Sequence, residues 1–343
     1  MLRILVIKRD KFGDLVLTTP LIRYLARLSP SPGEVELSVL LPTQFSFLLK
    51  SSPHVFKIFE IPTKNRSRLR FILEALFLWM RLLRVKYDYV VVASGEPTGS
   101  GLRIASMLRA KHIIAYLSPN FRRSRCIRVE ESAAHELHRI LKLGQKVSEL
   151  LSGRSEPNLD FFPRINITRH QEQLRIDFLA RQGLQSQEYF VIGIGCRKLK
   201  RKPSVAQVHY LANHFKEALA LRCILSWTPA SYFDPDYPSD DEIAARILAT
   251  NSEIIPLAGT LSEAIAVVKG ARFCVFPDSG LMHASAALGV PTLGLFSTLE
   301  NSPPAVRWQP IGIKTTYIEV NTEISRLSPQ VYLEKIDELL SGT

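Results

Sequence analysis

The chain has 343 residues, 46% of them hydrophobic and 22% charged, and its 44 Lys and Arg against 32 Asp and Glu give a net charge of +12. That length is generous for one core and leads to an expectation of two domains of about 150 residues each, with the composition of a soluble globular protein. The basic balance favours polyanions, namely nucleic acid, anionic lipid or a phosphorylated glycolipid; no zinc-finger, homeodomain or aromatic RNA-binding motif accompanies it, which sets nucleic acid aside.

Short apolar runs alternate with longer helical patterns, the arrangement of parallel sheets joined by crossover helices. In the first half strands are expected near 2–7, 35–41, 56–61, 88–93, 112–116 and 126–129. The opening run of six, LRILVI, is too short for a signal peptide despite Arg3, Lys8, Arg9 and Lys11 beside it. It leads into KRDKFGDLVLTTPLIRYL, with Gly13 and Asp14 where the strand should turn into a helix. Ligands of open α/β sheets collect at the carboxyl ends of strands, so Asp14 is a carboxylate at the mouth of an expected cleft. Taken singly, it reads more readily as a helix cap that only satisfies backbone donors.

The segment 64–86 carries seven basic residues and one Glu around an apolar core, Phe71 to Leu83, of 13 residues. A bilayer crossing needs about 20. Two readings stand: a basic helix lying in a membrane interface, or a crossover helix whose apolar side is buried against the first sheet. The second is preferred for the apolar side, with the basic ends facing anionic lipid or acceptor.

The stretch 154–168 holds two prolines and little periodicity, and a helix follows at 169–182, so the linker is expected near 160–187. The second half shows strands near 189–195, 221–227, 253–257, 273–276, 291–296 and 315–319. After the first of these come Arg197, Lys198, Lys200, Arg201 and Lys202, five cations in six positions, able to neutralise a diphosphate or simply to form a solvated basic loop. Asp234-Pro235-Asp236 looks like a metal-binding DxD, but it stands among turn residues with no strand leading into it, and no metal site is expected. In FPDSGLMHASAALGVPTLGLF, Asp278, Ser279 and Gly280 make a turn that opens a helix, with His283 one turn later. Such a terminus presents free N–H groups and a positive dipole end to an anion; most capped helices bind nothing, and a lone His is more often structural. The four cysteines show neither CxxC nor zinc spacing and are expected reduced and structural, in the cytosol.

GDLVLTTPLIRYL near the start and DSGLMHASAALGVPTLGLF near the end resemble the signatures of glycosyltransferase family 9, the ADP-heptose:lipopolysaccharide heptosyltransferase family. KYDYVVV (86–92), HELHRILKL (135–143), GIGCRKLKRKP (193–203) and LAGTLSEAIAVVKGARFCVFPDSG (257–280) resemble other family segments in the right order, so that the likeness covers roughly residues 1–315. It implies the GT-B fold: two Rossmann-like α/β domains facing each other across a cleft. The expected bounds are 1–165 for an acceptor-binding domain and 186–328 for a nucleotide-sugar domain, with helix 329–343 crossing back to the first.

The resemblance further implies an inverting, metal-independent enzyme without cofactor, moving heptose from ADP-heptose to a lipopolysaccharide core or related anionic glycolipid. It would work in the cytoplasm, peripherally on the inner face of a bacterial inner membrane. Asp14 matches the catalytic base. Lys200, Asp278, Ser279, Gly280 and His283 match the donor diphosphate site, and Gly13, Ser100 and His135 lie on acceptor-side pieces. Three departures stand out: Lys202 where the family has Trp before Pro203, Ser297-Thr298-Leu299 for Gly-Pro-Thr, and Ser226-Trp227-Thr228-Pro229 for a glycine-rich turn. They leave room for another sugar or nucleotide, or for a catalytically silent binding protein of the same fold.

Overall fold

The computed structural model describes all residues except Asp10, 29–33, 63–66, Arg122, 131–133, 154–160, 231–238, Glu300, Asn301, Pro303 and the last two. The chain forms two compact units, residues 1–166 and 167–343. The first runs β1 (Leu2–Ile7), α1 (Phe12–Ala26), β2 (Val35–Pro42), β3 (Lys57–Ile61), α2 (Arg68–Leu83), β4 (Tyr87–Val92), α3 (Gly99–Met107), β5 (Ala110–Ala115), β6 (Cys126–Arg128) and α4 (Glu136–Ser152). Its six strands pair in parallel in the order β3-β2-β1-β4-β5-β6.

The second unit begins with α5 (Arg169–Gln182), β7 (Tyr189–Gly193), α6 (Val205–Leu219), β8 (Arg222–Ser226), α7 (Asp241–Thr250), β9 (Ile255–Leu257) and α8 (Leu261–Lys269). It continues with β10 (Cys274–Pro277), α9 (Gly280–Ala287), β11 (Thr292–Ser297), α10 (Ala305–Trp308), β12 (Thr315–Val320) and α11 (Pro329–Ser341). Its parallel sheet has the order β12-β11-β10-β7-β8-β9. Counted within its own unit, each sheet has the doubly wound Rossmann order, which reverses between its first and fourth strands. All the expected strands form, within one or two residues of their expected bounds.

The central strands read as unbroken apolar runs because both faces are covered by helices; Ile4 to Val6 and Val90 to Val91 are fully buried. Helix starts follow from local chemistry. Thr168 with Gln171, Ser204 with Gln207 and Thr260 with Glu263 each form a reciprocal capping box, which satisfies two otherwise orphaned N–H groups per helix. In the first unit α4 packs on α1 with Leu137, Ile140, Leu141, Leu143 and Val147 buried. The approach is close at Gly144, where a Cβ would come within 2.7 Å of Leu21 Cδ1 and 2.8 Å of Tyr24 Cδ1.

Three expectations need revision. The expected linker at 160–187 contains α5, yet this helix packs on α8, so the second unit starts at Ile167. The final helix, expected to cross back to the first half, packs on α6, β11 and β12; its stripe of Tyr332, Leu333, Ile336 and Leu339 completes the core of the second unit. The apolar side of α2 is not buried as preferred. Leu78 and Leu82 enter the core, while the opposite face remains exposed, from 40% at Leu83 to 69% at Leu69. No helix among the described residues is long and apolar enough to cross a membrane.

Gly144→Ala should destabilise the first unit by about 1–3 kcal/mol through overpacking of α4 on α1. Denaturant unfolding followed by circular dichroism would register it, and an unchanged midpoint would show that α1 shifts freely.

Candidate active site

In the first unit the reversal of strand order separates the carboxyl ends of β1 and β4. Lys8 follows β1 directly, is only 1% exposed, and donates from Nζ to the Ala93 carbonyl just past β4 at 2.7 Å. The same ammonium stands 3.9 Å from Asp14 Oδ1. The helix starts earlier than the sequence suggests: Lys11 occupies the N-cap position without a side-chain bond, and Asp14 lies inside the first turn of α1. Asp14 is therefore not the capping residue, and its carboxylate sits between a helix N-terminus and the buried Lys8 ammonium. Gly13 is buried beside it.

The loop after β4 is clamped from α4. Glu136, itself buried, accepts from the Gly95 N–H at 2.8 Å through Oε1, and Arg139 donates to the Gly95 carbonyl at 3.1 Å. A Cβ on Gly95 would lie 2.5 Å from Glu136 Oε2, so a side chain there would displace the Glu136 carboxylate. His135 is buried, and its Nδ1 caps α4 by accepting from the Leu137 N–H at 3.1 Å. Ser100 lies in the exposed first turn of α3, its hydroxyl 3.4 Å from that of Thr98.

The second unit repeats this geometry with other side chains. Arg201 ends a single 3-10 turn, Leu199–Arg201, that follows β7, and donates from Nη1 to Asp278 Oδ2 at 2.5 Å just past β10. This ion pair spans the point where the strand order reverses. Ser279 holds the N-cap position of α9, but its hydroxyl makes no capping bond. Ser279 Oγ, Arg201 Nε and Arg201 Nη2 are buried with no hydrogen-bond partner among the described residues. Unpaired buried polar atoms cost about 1–3 kcal/mol each, and Arg201 is tied through Asp278 to the residue that precedes Ser279. Gly280 opens α9; His283 is buried in its first turn, with its ring centroid 6.4 Å from that of Trp308.

The five-cation loop divides its labour. Lys202 forms a buried ion pair with Asp240, which explains how a Lys can occupy this place without being solvated. Burial pushes the Asp240 carboxyl up, against the hydrogen bond and charge of Lys202 that pull it down. Lys198 donates to Ser302 Oγ at 3.2 Å, Lys200 is half-buried and Arg197 exposed. Two other departures are also internally bound: Ser297 Oγ donates to the Thr322 carbonyl at 2.7 Å and Trp227 Nε1 to Asp241 at 2.7 Å. Burial pushes the Cys196 thiol in this region up to about 12, so it stays protonated and unreactive. Asp234 and Asp236 lie outside the described residues.

The family model of glycosyltransferase family 9 (heptosyltransferase) matches residues 76–331, well over half the chain. The protein belongs to this family. It is accordingly a glycosyltransferase. Among solved structures it resembles the family 9 glycosyl transferase from Veillonella parvula, with a TM-score of 0.81 at 16% identity over 99% of this chain and 98% of that one. It also resembles heptosyltransferase WaaC of E. coli with ADP, at 0.74 and 18% over 98% and 100%. A third likeness is to ADP-heptose lps heptosyltransferase II of E. coli, at 0.72 and 18% over 99% and 99%. These likenesses show the GT-B fold. No curated protein sequence matches the chain. The segment with Asp14 precedes the family match, whereas the structural likeness spans it.

Three residues that build this glycosyltransferase's candidate site escape sequence reasoning. Lys8 reads as a flanking surface charge, Glu136 as an ordinary helix acid, and Arg201 as one of five equivalent cations. Only the reversal point in each sheet, which draws ligands, could have marked Lys8 and Arg201 in advance.

Asp240→Asn should cost about 3–5 kcal/mol by leaving the Lys202 ammonium buried and unpaired. The thermal midpoint would fall accordingly, and Lys202→Met in the same background should restore much of the loss. No fall would mean that the pair is open to water.

Proposed function

We propose that the protein is an inverting heptosyltransferase that moves heptose from ADP-heptose to an anionic glycolipid such as a lipopolysaccharide core, at the cytoplasmic face of a membrane. The observation that carries the donor reading is a set of buried, unpartnered polar atoms: Nε and Nη2 of Arg201, which is ion-paired to Asp278, and Oγ of Ser279, the N-cap residue of α9. A diphosphate supplies the acceptors they lack. The ADP of the WaaC structure and the ADP-2-deoxy-2-fluoro heptose of a second WaaC structure support the nucleotide class.

In this reading Asp14 receives the proton of the acceptor hydroxyl as its oxygen bonds the anomeric carbon from the face opposite the diphosphate. The bond from that carbon to the diphosphate oxygen breaks, and ADP leaves with the electron pair. Arg201, Lys200 and the N–H groups of α9 take up the negative charge, which is where electrostatic stabilisation counts most. His283 contacts phosphate or sugar, and Asp278 orients Arg201. A carboxylate is a weak base, and Lys8, 3.9 Å away, holds this one in place. A glycosyl transition state with oxocarbenium character tolerates this, because the hydroxyl proton leaves late and placement outweighs basicity. Ser100 and Gly13 are assigned to the acceptor side.

Calorimetry should show ADP bound more tightly than UDP or GDP, and Ser279→Ala should weaken ADP roughly fivefold by removing one hydrogen bond. Asp14→Asn should lower turnover of ADP-heptose by roughly 100-fold or more while ADP affinity is kept. Preference for another nucleotide would overturn the heptose assignment and favour another sugar donor, as the altered loops at Ser226–Pro229 and Ser297–Leu299 allow. No nucleotide binding would overturn the donor site itself.

A further inference from the structure

Helix α2 is apolar on two opposite faces. One face enters the first core through Leu78 and Leu82. The other carries Leu69, Ile72, Leu73, Leu76, Phe77, Met80 and Leu83, all exposed, at the i, i+3, i+4, i+7, i+8, i+11, i+14 spacing of a continuous helical stripe. A stripe of this size on a folded surface marks a contact site. The helix has 16 residues, about 24 Å at 1.5 Å per residue, too short to cross a bilayer and long enough to lie along one.

The charges around the stripe choose the occupant. Arg68, Arg70, Arg84 and Lys86 are exposed, and Arg81 lies with its guanidinium 5.6 Å from the Phe77 ring. The helix has a single carboxylate, Glu74, already paired with Arg70 at 3.0 Å. A second copy docked on this face would bring a second set of arginines against the first. A layer of anionic headgroups over acyl chains instead satisfies both the apolar stripe and its cationic flanks.

We propose that the exposed face of α2 seats the first unit on an anionic lipid bilayer, with the stripe in the headgroup–acyl boundary and Arg68, Arg81, Arg84 and Lys86 at the phosphates. The glycolipid reading above gives this docking its purpose, and the test is independent of it. Arg66, a further basic residue of the 64–86 segment, lies outside the described residues.

The test is flotation of the full chain with phosphatidylcholine vesicles with and without phosphatidylglycerol, with no acceptor or nucleotide present. The chain should float only with phosphatidylglycerol. Leu73→Glu with Phe77→Glu should weaken this at least roughly tenfold by placing charge in the apolar stripe. Arg68→Gln with Arg84→Gln should weaken it by a similar factor through lost headgroup attraction. Both pairs are exposed, so circular dichroism should be unchanged, and ADP affinity measured in parallel should stay constant. A wild-type chain that remains in solution with both vesicles, or a stripe variant that floats like wild type, overturns the proposal. So does a lipid-free dimer that the stripe variant converts to a monomer, since the face would then belong to a second copy. Flotation without ADP binding would leave this docking intact and remove the donor reading.

Discussion

In a parallel sheet whose strand order reverses, two neighbouring central strands send their chains to opposite faces, and their carboxyl ends part. The resulting gap lies at the carboxyl edge of the sheet, where ligands of such folds collect. In both units of this protein a buried cation bridges it: Lys8 reaches the Ala93 carbonyl, and Arg201 reaches Asp278. The rest of each candidate site is arranged around that bridge. In the first unit the ammonium lies beside Asp14. In the second, the guanidinium retains two unpaired donors beside the unpaired Ser279 hydroxyl.

Burying charge is expensive, and a paired buried charge adds little net stability. The pairs around the second site are better understood as positioning devices. Arg201 held by Asp278 cannot swing into solvent, and Lys202 held by Asp240 anchors the turn from which Arg201 projects. The five cations after β7 are thus two buried anchors, one residue tethered to Ser302 and two further charges. A loop with all five solvated would attract anions over a longer range but would offer no fixed geometry.

Helix α2 makes the opposite choice. Its sequence supplies more apolar surface than the sheet can cover, since a crossover helix contacts the sheet along one face only. Sequence reasoning took the apolar run as core because residues 71–83 are nearly all hydrophobic, and a run without a polar face does not reveal which side meets the sheet. The register of Leu78 and Leu82 against the core decides it, leaving Leu69, Ile72, Leu73, Leu76 and Phe77 outward.

The strands were legible because doubly covered parallel strands must be apolar over their buried length, as ILVI (4–7) and VVV (90–92) are. The capped helix starts were legible because capping is satisfied within four residues, as Thr260 and Glu263 show. The family signatures at both ends carried the fold class and the residues Asp14, Asp278, Ser279 and His283. Partners were not legible: Arg201 and Asp278 are 77 positions apart, Lys202 and Asp240 are 38 apart, and Lys8 finds Ala93 across 85. A sequence fixes hydrogen bonds and apolar periodicity that close within one element, because chain geometry alone brings those groups together. Which of several equivalent charges is buried, and against which carboxylate, depends on the strand order of the finished sheet, and only the tertiary structure decides that.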